Sequence, residues 1–598
     1  MKKQILLFFL LLIGLTGIAQ TYTMLPADAK PYGNRLFIRS NGEIISGIGS
    51  AIFRTINTKQ RVDNNTAIKP NQSVRAIQKS ISTIRAIAGP LSSNYFVTSD
   101  YGKTGKWIYD PSDNSSIDDG ILTIVTVNGA RIKRLVEGNV QAEWAGLSVD
   151  PLADNTAALN KVVTIAKNLN KVLEFPPGNY NLRTIWRAFD IVLKGNNTTL
   201  INNRPTSVCI ELGSNTSISD IKFNGGYNSE ITGTRVSLQV KAGSTNITIS
   251  KCDFFNCNKT AFIGLNVSNL VLKECNFYDN GANFQLFDGG ENITIDKCSF
   301  KDAIRPSIGN GANGISLNKN NNGQLYRNVK IVNSYFGNLT RMGIECFNLI
   351  DSKIEGNIVE NVDDMGMSFP LLRNSSILNN IIRDVGSYAI EIPGQNGHNL
   401  IAKNRISNPK DNASLSDAII LSVFANSALV GTIDSKYNRI EDNVFENWQN
   451  ASGTKSCIKV KGGNNSESVL NDGFTSILRN TFINSSGILF EGSVSSDHII
   501  SGNTFTLNSR TKSISRFVSI GGTNCRITYN KINSAGSLIA PRDQCISFSG
   551  AKNILISNNV LKLGGMYRYG VRETTSSLGT IMLNNNIKGF VTGSVYQK

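Results

Sequence analysis

Asn246-Ile-Thr-Ile-Ser-Lys-Cys252-Asp-Phe254 is followed by Asn269-Leu-Val-Leu-Lys-Glu-Cys275-Asn-Phe277, and that by Asn292-Ile-Thr-Ile-Asp-Lys-Cys298-Ser-Phe300. The three cysteines recur every 23 residues. Downstream an asparagine takes the same place, at Asn357, Asn380, Asn404, Asn443, Asn480, Asn503, Asn530, Asn558 and Asn585. Ser334 stands in once, and Ile221 precedes the series. A period in the low twenties, built of short alternating strands, is the mark of a solenoid. Each repeat makes one turn, and turns stack at ~4.8 Å. The chain is therefore expected to be all-β, a right-handed parallel β-helix. Ile247, Leu270 and Ile293 would line its core, with Phe254, Phe277 and Phe300. The Asn and Cys positions would sit at a tight bend, where stacked amides satisfy one another and the backbone. The same spacing accounts for three of the nine cysteines without a redox or metal role.

A second strand repeats as well: Gly314-Ile-Ser-Leu, Gly343-Ile-Glu-Cys, Gly366-Met-Ser-Phe, Ala389-Ile-Glu-Ile, Ala418-Ile-Ile-Leu, Cys457-Ile-Lys-Val, Gly487-Ile-Leu-Phe and Cys545-Ile-Ser-Phe. Period-two alternation sends the second and fourth residues inward. The third faces outward and forms an exposed row: Ser316, Glu345, Ser368, Glu391, Ile420, Lys459, Leu489, Ser547. Before the solenoid, Asp154 and the run from Thr156 to Lys167 read as a capped amphipathic helix. Such a helix would close the open end of the stack against other chains.

The N-terminus reads as a secretory signal over residues 1–19, with Lys2 and Lys3, an apolar run from Ile5 to Ile18, and small Gly17 and Ala19. No second long apolar run exists, so no membrane span is expected. The protein is expected to be secreted or periplasmic. Residues 20–92 would form a strand and helix segment, 93–147 a small β module, and 148–598 the solenoid. The formal charge is +17, which favours anionic partners such as acidic glycans. A nucleic-acid reader would need a basic stripe interleaved with aromatics. The regular outward row is not basic, so no nucleic acid is expected. With only two histidines, a His-rich metal site is excluded.

Asp154-Asn-Thr-Ala-Ala-Leu159 followed by Leu173-Glu-Phe-Pro-Pro-Gly-Asn-Tyr180 resembles the opening of pectate-lyase-superfamily β-helices. Tyr101 to Asp110, Asp118-Asp-Gly120, Arg131-Ile-Lys-Arg134 and Val140-Gln-Ala-Glu-Trp144 resemble the small β module that precedes such helices in phage tailspikes. Ser73 to Ala88 resembles the short helix leading into it. The resemblance covers residues 73–200 by motif and the remainder by repeat pattern. It implies a polysaccharide as substrate and, by analogy, a homotrimer. It fixes no reaction, since the superfamily holds lyases, hydrolases, esterases, epimerases and inert binders. The polygalacturonase motif set is incomplete. Asp363-Asp364 is present, but His398 lies in Asn-Gly-His-Asn, and the Arg-Ile-Lys at Arg131 falls before the solenoid. No match to a pectate-lyase calcium site is found.

Glu345 and Glu391 lie two turns apart in the outward row, with Ser368 between. Their backbones would be about 9.6 Å apart, twice the strand spacing. That distance suits the acid and base of an inverting hydrolase. Asp363 and Asp364 open the intervening strand, with Arg341 one turn before Asp364 and Tyr388 at the corner one turn on. Glu345, Glu391 and Asp364 are the candidate catalytic groups; Arg341, Asp363, Tyr388 and Ser368 are candidate substrate contacts. Mutual repulsion among the carboxylates would raise one pKa, as a general acid requires. A lyase would instead use Arg341 or Tyr388 as base, with Ca²⁺ held by Asp363 and Asp364. Extra residues at 301–327, 408–436 and 446–474 would wall this groove, with Tyr326, Tyr388, Phe424 and Trp448 as sugar platforms. The alternative is a non-catalytic glycan-binding or attachment protein. His398 reads as a surface turn residue.

Overall fold

A computed structural model describes residues 77–91, 95–100, 102–204, 207–227, 235–303, 312–318, 324–410, 416–422, 436–448, 455–461, 473–491, 496–507, 517–534, 542–548, 550–562, 564, 567–573, 579–590 and 593–596, with four short strands between Lys30 and Thr55. The signal-like segment, Phe424 and most of the inserted stretches lie outside the described residues. The chain divides into two compact units, Met1–Glu137 and Gly138–Lys598. Among the described residues no helix is long and apolar enough to cross a membrane.

The first unit opens with an antiparallel meander, in which Leu36–Ile38 and Ile44–Gly47 pair side by side. A five-stranded sheet follows, in the order Ile77–Lys79, Tyr95–Thr98, Gly105–Asp110, Arg131–Arg134, Thr123–Val125. The segment expected as a leading helix therefore starts as a strand. The helix is only Ile81–Arg85, its first turn closed by Ser80, whose Oγ accepts from the Thr83 amide at 3.1 Å. Ile81, Ile84, Phe96, Trp107, Ile124 and Ile132 form the core. Arg134 packs its guanidinium 4.3 Å over the Trp107 ring and donates to the Ile121 carbonyl at 2.6 Å. A buried cation needs such partners. Gly105 leaves the room, because a Cβ there would stand 2.0 Å from an Arg134 nitrogen.

In the second unit every ladder is parallel, each strand pairing with its counterpart one turn on. Three sheets run along the solenoid. Sheet 1 contains Ile344–Cys346, Met367–Ser368 and Ile390–Pro393; sheet 2 contains Lys353–Glu355 and Ser376–Leu378; sheet 3 contains Ile358–Val362 and Ile381–Val385. Short loops reverse the chain between them. Many corner residues have φ near +55°, and most of these are Asn or Asp, which tolerate that region. Inside, Phe223, Phe254, Phe277, Phe300 and Phe336 stack with centroids 4.5–5.1 Å apart. Phe445, Phe482 and Phe505 repeat the arrangement at 4.9 and 4.3 Å. This is the β-helix expected from the repeat.

The asparagine ladder lies at the bend between sheets 2 and 3. Asn404 shows its bonding: its Nδ2 donates to the Ile377 carbonyl and to Asn443 Oδ1, and its Oδ1 accepts from the Asn380 amide and side chain, all at 2.9 Å. One rung is corrected. The buried position after Asn530 is Asn559, not Asn558, which sits at the outer corner with φ +56°. All nine cysteines are buried thiols, and none forms a disulfide among the described residues. The helix Thr156–Asn168 buries Leu159, Val162, Val163 and Ala166 against the first strands. Asp154 closes its first turn by accepting from the Thr156 amide at 3.0 Å. The solenoid begins before this helix, because Val140–Gln141 already pairs with Leu173–Glu174.

Candidate active site

Sheet 1 carries its outward row in unbroken register: Gln285, Ser316, Glu345, Ser368, Glu391, Ile420, Lys459, Leu489, Ser519, Ser547. Gln285 and Ser519 are rungs that sequence reading passed over; the strand of Ser519, Val518–Ile520, lacks the small residue that starts the others. Glu345 and Glu391 do lie two rungs apart across Ser368. The row is not exposed, however, and this corrects the sequence expectation. Ser316, Glu345, Ser368, Ile420, Ser519 and Ser547 are all buried.

Glu345 is closed in by specific partners. Its Oε2 accepts from Asn313 Nδ2 at 2.8 Å and from Ser316 Oγ at 2.9 Å, and Arg341 stands 3.9 Å from Oε1. Asn313 is itself placed by accepting the Met342 amide at 3.2 Å. Such a set fixes the position of the carboxyl group. Glu391 is half-buried and accepts one bond, from Ser368 Oγ at 3.0 Å. Burial pushes its pKa up. The Ser368 hydrogen bond opposes this, and the charges of Asp364 and Glu345 add to the rise. Asp364 is also half-buried, and burial raises its pKa against the pull of Arg341. The structure thus brings Glu345, Asp364, Glu391, Arg341 and Ser368 together.

Other expectations change. Asp363 points elsewhere, its Oδ1 taking a 2.5 Å ion pair from Lys410. It does not share a cation with Asp364, and among the described residues no group of three or more His, Cys, Asp or Glu could hold a metal ion. Among the described residues, Asp363 and Asp364 do not form the Ca²⁺ site that a lyase would use. Tyr388 aligns with Met365 rather than with Asp364: the Gly366 amide bonds to the Tyr388 carbonyl as the Gly343 amide bonds to that of Met365. Tyr326 and Trp448 are core residues, both fully buried. The Tyr326 hydroxyl donates to the Asn318 carbonyl at 3.0 Å, and the Trp448 ring N–H to that of Ser416 at 3.2 Å. They are not sugar platforms. His398 is exposed at an outer corner with φ +57°.

A solenoid of parallel sheets behind a small β-sheet unit defines the class of protein. Residues 266–422 match the family described as the right handed beta helix region, and residues 78–137 match the phage tail protein small four-stranded beta-sheet domain. The chain folds as a right-handed parallel β-helix, and its N-terminal module matches a phage-tail β-sheet domain. It is similar to the surface adhesin PfbA of Streptococcus pneumoniae at 15% identity, over 74% of this chain and 92% of that one, with a TM-score of 0.38. It is also similar to the Agl-KA catalytic domain, at 13% identity over 77% and 71% with a TM-score of 0.32. The Dettilon tailspike protein is similar at 13% identity over 65% and 67%, with a TM-score of 0.33.

Proposed function

We propose that this protein cleaves a polysaccharide laid along sheet 1, by acid–base hydrolysis at the Glu391–Asp364 pair. The observation that carries the reading is Glu391: a half-buried carboxyl held towards its protonated form, with a second carboxyl, Asp364, one turn away and beside a guanidinium. Burial raises both, but Arg341 pulls Asp364 back towards its ionised form while neighbouring carboxyl charges push Glu391 further up, and such a difference divides the acid and base roles. Glu391 gives its proton to the glycosidic oxygen, which leaves with the electron pair of the broken bond. Asp364, whose rise Arg341 opposes, takes a proton from water as the water oxygen bonds to the anomeric carbon. Glu345 does not touch the sugar. Its charge adds to the upward shift of the Glu391 pKa.

The test is incubation of the purified chain with a panel of acidic and neutral polysaccharides, reading new reducing ends and unsaturated-uronate absorbance together. New ends without absorbance are expected. Glu391→Gln should then lower kcat by about 10²–10⁴-fold with the fold retained. Because the pKa of Glu391 is raised, activity should fall as pH rises through it, above the ordinary carboxylate range. Both signals together would mean a lyase. Neither signal across the panel would leave a non-catalytic glycan-binding protein as the better reading.

A further inference from the structure

On sheet 3 one outward column runs Asp253, Asn276, Ser299, Tyr335, in register. Beside it, Lys301 pairs with Gly337, and Gly337 with Glu360. A hollow of about 610 Å³ lies here, lined by Asp253, Asn276, Ser299, Lys301 and Tyr335 together with Tyr278 and Asn338. The hollow lies on a different sheet from the acidic row.

Tyr335 is laid down rather than upright. A Cβ on Gly337 would stand 2.3 Å from the Tyr335 hydroxyl oxygen, 2.7 Å from Cζ and 2.9 Å from Cε1. Gly337 occupies an outward position, so the ring crosses the sheet surface where a side chain would otherwise rise. Its tip is tied down as well. The hydroxyl donates to Glu360 Oε1 at 2.9 Å, and Glu360 in turn takes Arg383 Nε at 2.6 Å. Burial, followed by the bond to Glu360, pushes the Tyr335 pKa up to about 12, so the hydroxyl stays a donor. The tip and one edge of the ring thus lie over Gly337, and Tyr335 is only partly buried. Around it stand polar groups of both kinds. Asp253 accepts from Asn276 Nδ2 at 2.9 Å, and Asn276 and Lys301 are exposed.

A tyrosine over a strand glycine has a bland explanation, the covering of bare backbone. That explanation requires neither the anchoring of the ring tip nor a polar hollow beside it. A pyranose has one face of C–H groups and a rim of hydroxyls. It needs a fixed flat apolar surface with donors and acceptors at its edge, and orientation in such sites comes from a few placed polar groups. We propose that sheet 3 carries a second saccharide-binding site, in which Tyr335 stacks on a pyranose and Asp253, Asn276, Ser299 and Lys301 take its hydroxyls. A polymer held there stays near the solenoid at raised effective concentration without being cut. The site does not depend on the acidic row being catalytic.

The probe is an immobilised array of gluco-, manno-, galacto- and galacturono-oligosaccharides, presented to the full chain carrying Glu391→Gln so that no turnover alters the probe. Binding to at least one of these sugars is expected. Tyr335→Ala should weaken it at least tenfold, while Tyr335→Phe, which keeps the ring, should stay within about threefold. Lys301→Ala changes only an exposed side chain and should weaken binding several-fold, so the test survives if Tyr335→Ala misfolds. An array that captures nothing overturns the proposal. So does capture that Tyr335→Ala and Lys301→Ala leave unchanged, since the sugar would then sit elsewhere. Neither result bears on hydrolysis, which the reducing-end assay decides separately.

Discussion

At the bend between sheets 1 and 2, Ser352, Ser375, Asn399, Asn438, Thr475, His498 and Cys525 occupy one line. Several accept the amide N–H of the turn before. Ser375 Oγ takes that of Ser352 at 3.0 Å, Asn399 Oδ1 that of Ser375 at 3.1 Å, and His498 Nδ1 that of Thr475 at 3.2 Å. His498 must therefore keep Nδ1 unprotonated. Burial, the largest cause, lowers its pKa to about 4 from the ordinary 6.5. Between these values the unfolded chain binds a proton that the folded chain does not. Stability from this group is whole above pH 6.5 and is lost as pH falls towards 4, on the order of 3 kcal/mol. Urea midpoints measured from pH 7 to 4.5 should fall more steeply for the native chain than for His498→Asn; equal slopes would remove this account. Nothing in the sequence marks this rung. The position asks for a buried acceptor of any kind, and it is filled by Ser, Asn, Thr, His and Cys, so no one residue type recurs to mark it. The neighbouring ladder runs at the same steps and was legible because a single residue type, Asn, recurs along it. At the outer corner, Tyr437 and Phe474 replace the usual Asn with φ +61° and +60°; Tyr437 stacks on Phe474 at 5.0 Å, and the His398 ring lies tilted 5.0 Å from Tyr437. For such residues that conformation costs about 1–2 kcal/mol.

Among the elements, the helix Thr156–Asn168 has the clearest separable task. Its buried face lies on strands that would otherwise present unpaired N–H and C=O groups. Leu159 is fully buried there. Leu159→Asp should cost about 3 kcal/mol or more by placing a charge in that contact, and should raise light scattering as the bared edge pairs with other chains. Leu159→Met should cost less than about 1.5 kcal/mol, and a thermal melt with scattering detection compares the two. This helix was legible from its 3.6-residue period, and the acidic row from two turns of equal length. What covers the row was not legible. Alternation tells which side of a strand a residue takes, and cannot tell that Asn313, from the preceding turn, folds over Glu345. The flat Tyr335 was hidden for a related reason: only a backbone in register shows that Gly337 lies beneath its ring.

Over the whole molecule, the sequence placed the start of the solenoid at residue 148, whereas its first described pairing is at Val140–Gln141, a strand too short to carry a pattern. The tailspike resemblance implies a homotrimer, and light scattering coupled to size exclusion should return three times the mass of one chain; a single-chain mass would set that assembly aside. The asparagine ladder has a further consequence at this scale. From Asn357 through Asn380, Asn404, Asn443, Asn480, Asn503, Asn530 and Asn559 to Asn585, every Nδ2 donates to the Oδ1 of the next turn, with none reversed. The side-chain dipoles are thus aligned head to tail, and each bond polarises its neighbours. As with the peptide units of an α-helix, the partial charges cancel along the run and survive at its ends. The solenoid has an electrical axis, carbonyl-negative near Asn357 and amide-positive near Asn585, written into it by one residue type repeated once per turn.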